Sequence, residues 1–454
     1  VPLKKTAMSN TIRIKKGLDI KLRGKAEPIV KNQGFSATYA IKPSDFKGLV
    51  PKLCVKADDI VKAGTPLIYD KYNPTVQFVS PVSGKVVNVN RGDHRKILEI
   101  IVEADNENES VEFPVTGWKT SGRESIIKTL LDSGLWPYIV QRPFGIIAKP
   151  TDTPRDIFVS GFDSAPLAPD FDFIVGNETS VFQTGLDVLS KLTSGKLFLG
   201  LRAGSILSGM KGVEVTNFGG PHPAGNVGVQ IHHLKPINKS DVVWTITPQA
   251  VLFIGRLFTT GKLDLSETIA LSGSEVNEPC YLKTIAGAEI ASLVGGKTKK
   301  EVKERIISGN VLTGTKCDTN GYLGFYHNQI TVIPEGDNYE FVGWAMPRFD
   351  KFSVSRAYFS WLTPGKTYRA DANLNGEERA YVMTGQYEKV LPMEILPVHL
   401  IKSIMADDID KMEQLGIYEV IEEDLALCEF VCTSKIEVQQ ILRKGIDLVV
   451  KELG

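Results

Sequence analysis

The chain of 454 residues lacks an excess of charge of either sign, with 53 Lys or Arg against 53 Asp or Glu. That balance removes the general electrostatic field through which a protein attracts nucleic acid. Cysteine is scarce and odd in number: five residues, from Cys54 to Cys432, fit reduced thiols better than a disulfide framework. The six histidines are His94, His222, His232, His233, His327 and His399. The adjacent pair His232-His233, read as strand neighbours, points to opposite faces and cannot chelate one ion. No Ser/His/Asp set or metalloprotease helix motif is visible, so hydrolysis has no support. Long apolar runs are missing too. The most apolar stretch, Val242 to Gly255, is interrupted by Pro248 and Gln249 and falls short of the roughly twenty residues a spanning helix needs. Val1 to Ala7 has two lysines and no apolar core, which does not read as a secretory signal, so a cytoplasmic address is expected. No GxGxxG follows a strand pattern, and there is no Walker loop.

What is present is the balance of a globular protein, 42% hydrophobic and 23% charged. The length calls for several domains. The expected fold class is multidomain α/β and β, divided as 1–32, a basic arm; 33–105, a β module; 106–262, an α/β domain; 263–337, a further β-rich domain; and 338–454, a mostly helical region. Leu53 to Glu103 alternates short β runs with turn signals at Ala63-Gly64-Thr65-Pro66, Asn73-Pro74, Ser83-Gly84 and Arg91-Gly92-Asp93. This unit resembles the barrel-sandwich fold of lipoyl and biotinyl carrier domains. Lys71 precedes Pro81 by ten residues, a longer interval than the carrier lysine keeps, so an unmodified module is expected. Further on, helices are predicted at Arg123 to Ser133 and Val181 to Leu192, and strands at Ile157 to Phe162, Phe173 to Gly176 and Leu197 to Leu201. Alternating strands and helices predict a Rossmann-like α/β layer with a partly parallel sheet. In 265–336 a strand at Ile269 to Gly273 and a short helix carrying Ile290, Leu293 and Val294, stopped by Gly295-Gly296, resemble a β-grasp module. The C-terminal region shows an apolar stripe, Ile404, Ile409, Met412 and Leu415, ended by Gly416. Ser434 with Glu437 reads as a capping box for a last helix running to Gly454.

Four stretches carry a more specific resemblance. They are Ile12-Arg13-Ile14-Lys15-Lys16-Gly17-Leu18-Asp19, Ser80-Pro81-Val82-Ser83-Gly84, Gly220-Pro221-His222-Pro223-Ala224-Gly225-Asn226-Val227-Gly228, and Glu422-Glu423-Asp424-Leu425-Ala426-Leu427-Cys428-Glu429-Phe430-Val431-Cys432. In this order they resemble the A-subunit family of sodium-translocating NADH:quinone reductases. The resemblance implies a peripheral protein on the cytoplasmic face, bound to the membrane-embedded B subunit and to the other subunits of the complex, with no tightly bound cofactor and quinone as a ligand. Related families, the C subunit of Rnf complexes and the flavoprotein subunit of complex I, carry flavin and iron–sulfur centres. Where their glycine-rich flavin loop belongs, this chain reads Gly134-Leu135-Trp136-Pro137-Tyr138. Bulky side chains there bar the close backbone approach that a phosphate requires, and Pro137 removes an amide donor. Of the ferredoxin run C-x2-C-x2-C-x3-C-P only the last two places, Cys428 and Cys432, are cysteine. A four-iron cluster needs more thiolates, so two free thiols on a helical face are expected.

Two candidate sites follow. The loop holding Phe218, Pro221, His222, Pro223 and Gly225 has glycines for close approach and a histidine able to hydrogen-bond a quinone carbonyl. The alternative is a turn between strands shaped by glycine and proline. The second candidate is the basic arm. Residues 1–62 hold fourteen Lys or Arg against five acids, while 407–429 holds nine acids against Lys411. Arg13, Lys15, Lys16, Lys21 and Arg23 would suit anionic headgroups or an acidic partner, or form a solvated face. No residue is assigned to catalysis or metal binding. The competing functions are purely structural assembly of the complex and that of an independent ligand-binding protein.

Overall fold

The computed structural model describes residues 11–32, 34–105, 107–337 and 340–453, apart from the side chain of Trp344. Alternating burial, with irregular steps in the pairing, builds the first unit. In the Ile97–Ala104 strand Ile97, Ile100 and Val102 are buried while Leu98 and Glu103 face water. One sheet runs Thr38–Ile41, Ile97–Ala104, Gly84–Arg91, Ile60–Val61, and a second joins Pro51–Leu53, Pro66–Asp70 and Gln77–Val79. Leu67, Ile68, Phe78, Val86 and Ile100 are all buried in the core these strands share. This is the expected barrel-sandwich arrangement, and Lys71 lies in the exposed turn just after Pro66–Asp70.

The second unit is a seven-stranded mixed sheet in the order Thr11–Arg13, Glu214–Gly219, Leu197–Leu201, Asp156–Ser160, Val243–Ile246, Val140–Arg142, Ile146–Ile147. The first five are parallel and the last two antiparallel. Central strands read as continuous apolar runs because both faces are covered. The apolar stretch at 242–255 is the Val243–Ile246 strand followed by the Pro248–Thr260 helix. Thr247 caps that helix by accepting from the Ala250 amide, Pro248 opens it, and left-handed Gly261 ends it. It crosses the Thr179–Ser190 helix at close range: a Cβ on Gly185 would lie 2.2 Å from the Val251 carbonyl oxygen, and one on Gly255 2.0 Å from that of Val181. Among the described residues no helix is long and apolar enough to cross a membrane. The predicted strand at 173–176 is instead the end of a helix, Phe171–Val175, capped by the Asp170 carboxylate, which accepts from the amides of Asp172 and Phe173. A local cap outweighs the β propensity of so short an apolar run.

The third unit is a six-stranded sheet in the order Thr315–Cys317, Glu304–Ser308, Gln329–Pro334, Ser266–Ser272, Cys280–Ile285, Val30–Lys31. The short helix is present at Ile290–Val294. One apolar core runs through all three units, with Phe46, Phe325 and Tyr326 in edge contact where they meet.

A second core belongs to the C-terminal helices and the N-terminal segment. The helical reading holds from Tyr387 onward, whereas 340–386 carries only two short turns of 3-10 helix, Gly343–Ala345 and Phe359–Leu362. The apolar stripe is split between two helices, Pro397–Met405 and Ile409–Gln414. The capping box does not form. The last helix is Val438–Glu452 with no side-chain cap, and Ser434 Oγ donates to the Ala380 carbonyl, a tertiary contact that takes the hydroxyl away. The described part of the basic arm is a strap. Thr11–Arg13 edges the seven-stranded sheet, Ile14, Ile20 and Leu22 enter the second core, and Val30–Lys31 edges the six-stranded sheet.

Candidate functional site

Open α/β sheets bind ligands outside the carboxyl ends of their parallel strands. Here the segments after Asp156–Ser160 and Glu214–Gly219 come together at that edge. His222 is 4% exposed, and its Nδ1 lies 3.0 Å from Ser164 Oγ. Ser164 Oγ in turn accepts from the Gly225 amide at 2.8 Å. The His222 amide donates to Asp19 of the strap at 2.9 Å, and the His222 carbonyl accepts from Leu18 at 2.8 Å. Ser160 Oγ donates to the Gly225 carbonyl, and Gln230 Nε2 donates to Ser160 Oγ. The polar groups of the loop are thus spent within the chain. Burial pushes the His222 imidazole down to about 4, so it is neutral at pH 7.

The candidate residues are gathered but covered. Phe218 is 1% exposed, Pro223 and Gly225 are buried, and Pro221 is half-buried. Phe162, Leu167, Phe218 and Ala224 share a core with the C-terminal helices, so the strand ends are roofed by the chain's own second core. The loop does not turn between strands; it joins the Glu214–Gly219 strand to the Val227–Leu234 helix. Cavities of about 640 and 360 Å3 lie elsewhere, one lined by Thr75, Gln77, Arg123 and Lys128, the other by Glu178, Arg256, Ser266 and Glu267.

Beneath the roof lies an ion cluster whose acids stood out in the sequence but whose cation, Arg142, did not. Arg142, 1% exposed, donates from Nη1 to Asp424 Oδ2 at 2.6 Å and from Nη2 to Glu423 Oε1 at 2.5 Å. Gly228 leaves room for it, since a Cβ there would lie 2.3 Å from Asp424 Oδ1 and 2.6 Å from Arg142 Nη1. The motif Glu422-Glu423-Asp424 therefore faces a buried guanidinium, and Glu422 also lies 3.4 Å from Lys47 and 3.6 Å from Arg443. A partner 282 residues away leaves no local signal in the sequence.

The remaining motifs resolve as follows. His232 and His233 sit on the Val227–Leu234 helix, not a strand. His232 Nδ1 is 2.8 Å from Glu419 and its Nε2 accepts from the Glu394 amide, while His233 Nδ1 bonds the Val229 carbonyl. Among the described residues no group of His, Cys, Asp or Glu could hold a metal ion. Cys428 and Cys432 are free and buried in the second core, and burial pushes the Cys428 thiol up. Trp136 and Tyr138 fill the place of a phosphate cradle: the indole donates to the Ala148 carbonyl at 2.7 Å, and Tyr138 stacks on Phe325 with centroids 4.2 Å apart. These residues do not fit a flavin phosphate. Arg13, Lys15, Lys16, Lys21 and Arg23 are exposed along the strap, whose apolar residues Ile14, Ile20 and Leu22 point inward.

Comparison with known proteins bears on the whole chain. Family models match at 12–105, described as the NqrA N-terminal barrel-sandwich hybrid domain, at 121–263, the NqrA second alpha/beta domain, and at 268–319, the NQRA C-terminal domain. The A subunit of the Na(+)-translocating NADH-quinone reductase from Yersinia pestis bv. Antiqua is 39% identical over 447 residues, covering 97% of this chain and 100% of that one. This chain belongs to the NqrA family. Members from Neisseria meningitidis serogroup C and Serratia proteamaculans are likewise 39% identical over 448 residues, at the same coverage. Because such relatives are covered end to end, the NqrA family encompasses the roofing helices as well as the three sheet units. A NAD+-reducing [NiFe]-hydrogenase chain superposes with a TM-score of 0.37 at 11% identity, over 74% of this chain and 65% of that one, which is too loose to bear on the site.

Proposed function

We propose that this chain is the peripheral NqrA component of a sodium-translocating NADH:quinone reductase, held at the cytoplasmic face by the membrane-embedded B subunit and the other subunits. In this reading the complex couples electron transfer from NADH to quinone to sodium export, and the redox centres reside in other subunits. The observation that carries the proposal is the end-to-end similarity to named NqrA proteins. The seven-stranded unit is read as Rossmann-like and the six-stranded unit as a β-grasp, with boundaries at 32, 105, 262 and 337.

The chain's part in quinone chemistry is to support the quinone site through the loop carrying Phe218, Pro221, His222, Pro223 and Gly225. Burial of His222 and its bonds to Ser164 and Asp19 favour holding that loop in shape, and they equally favour the second reading, a purely structural role in assembly with no quinone contact. Adding a soluble short-chain quinone to the purified chain separates the two. Shifts of the His222 and Phe218 resonances are expected if the loop supports quinone binding, and unchanged spectra would leave the assembly role. The isolated chain is expected to be colourless. A visible band that survives gel filtration and titrates with flavin or iron would contradict the absence of redox centres.

A further inference from the structure

Among the described residues, the segment from Phe341 to Arg369 packs Phe352 and Tyr368 inward but turns several other large apolar side chains outward. Phe341 is 98% exposed, Met346 56%, Phe349 49%, Phe359 46%, Trp361 51% and Leu362 55%. Phe359, Trp361 and Leu362 are close in sequence, and Phe359 reaches a fourth member. Phe349 and Phe359 are in edge contact at 5.9 Å, and Lys366 Nζ donates to the Phe349 carbonyl at 2.8 Å. The strip is also tied to the strap. Lys21 Nζ donates to the Pro364 carbonyl at 2.6 Å, and the backbones of Lys21 and Arg23 bracket Tyr368. Monomers rarely leave so much aromatic surface open unless it has an occupant.

The charge of the strip says what kind of occupant. Residues 341–369 contain five Lys or Arg against Asp350 alone. Arg348 and Lys351 are paired with Glu340, and Arg369 with Glu275. Among the described residues, Arg356 and Lys366 have no ion pair, nor have Lys21, Arg23 and Lys25 on the adjoining strap. Aromatics, Met and Arg beside unpaired cations are the make-up of a protein interface awaiting an acidic partner. Hydrocarbon is the less suitable neighbour, because an irregular backbone presents amides and carbonyls that lipid cannot satisfy.

We propose that the Phe341–Arg369 strip, with the adjoining basic edge of the strap, is a docking surface for an acidic protein segment that carries an apolar face. In the reductase this segment belongs to one of the neighbouring subunits, which rests on the function proposed above. The test is co-expression of the chain with the other subunits of its complex, comparing wild type with a Phe359→Ser, Trp361→Ser, Leu362→Ser triple variant. The isolated variant should keep its melting temperature and elution volume, since these side chains are exposed. Its recovery with the complex should fall about tenfold or more, as expected for loss of aromatic anchors. Arg356→Glu with Lys366→Glu should weaken assembly at low salt in the same direction. If wild type assembles and both variants are recovered within about twofold of it, the docking surface is overturned while the function stands. A wild-type chain that assembles with none of the subunits overturns the function and this partner together. Strip-dependent flotation with phosphatidylglycerol vesicles, with assembly of the complex unaffected, overturns the protein partner in favour of lipid. In the assembled complex, amide exchange over 341–369 should slow, and unchanged exchange there also overturns the proposal.

Discussion

At the scale of the residue, the Arg142 cluster holds the roof to the sheet. Its guanidinium is buried and its carboxylate partners come from the far end of the chain. A buried pair is costly to break, because removing one member strands the other charge in low dielectric. Asp424→Ala is therefore expected to destabilise the protein by about 3 kcal/mol, read as a lowered urea midpoint. His222 gives a second expectation. Its folded value, about 4, lies below the ordinary 6.5, so the unfolded chain binds the extra proton between those values. Stability from this group is complete above pH 6.5 and falls as pH drops toward 4, by about 1.4 kcal/mol per unit. His222→Asn should lose less stability between pH 7 and pH 5 than wild type does, and equal losses would show that burial of His222 is not what sets the slope. Glu267 works in the opposite sense. Burial pushes its carboxyl up to about 8 from an ordinary 4.5, so the fold favours the protonated form and stability drains as pH rises through that window. Glu267→Gln should raise the melting temperature at pH 8 more than at pH 5.

At the scale of the element, the strap shows what a sequence can and cannot say. Alternation of Arg13, Ile14, Lys15 and of Ile20, Lys21, Leu22, Arg23 left the basic residues conspicuous, and they do face water. The buried half of the alternation was the less visible part: Ile14, 2% exposed, packs with the C-terminal helices. Ile14→Ala should cost about 2–5 kcal/mol, checked by chemical denaturation. Helices with a periodic face were legible at Arg123–Asp132 and Thr179–Ser190, as was the continuous apolar strand Leu197–Leu201. Short pieces were legible only in part: the Ile290–Val294 helix was, stopped by its glycines, and others were not. The helix at Phe171–Val175 rests on the adjacent Asp170 cap, a local signal masked by the apolar run, whereas Ser434 leaves its expected cap for a carbonyl 54 residues away, a neighbour that the local sequence does not name. The candidate loop was recognisable by composition, whereas its cover was not. The roof over His222 arises from tertiary pairing between residues 142 and 424 and between 19 and 222, and such separations leave no periodicity behind.

At the scale of the whole molecule, a chain of zero net charge carries its cations unevenly, and the structure gives that unevenness a surface. Arg13, Lys15, Lys16, Lys21 and Arg23 lie exposed along a strap whose inward residues are locked into the second core. Reversing exposed charges on such a strap should therefore leave folding intact. Each basic residue close to an anionic surface contributes about 1 kcal/mol at modest ionic strength, so Lys15→Glu with Lys16→Glu should lower recovery of the chain with membrane subunits clearly at low salt. The difference should shrink as salt rises, because the screening length falls from about 10 Å at 0.1 M to about 3 Å at 1 M. The measurement is the yield of co-purified chain across a salt series, with circular dichroism and melting temperature showing that both proteins are folded. Equal recovery at every salt concentration would mean that the strap's cations are only solvated, and that attachment runs through other surfaces such as the aromatic strip beside it.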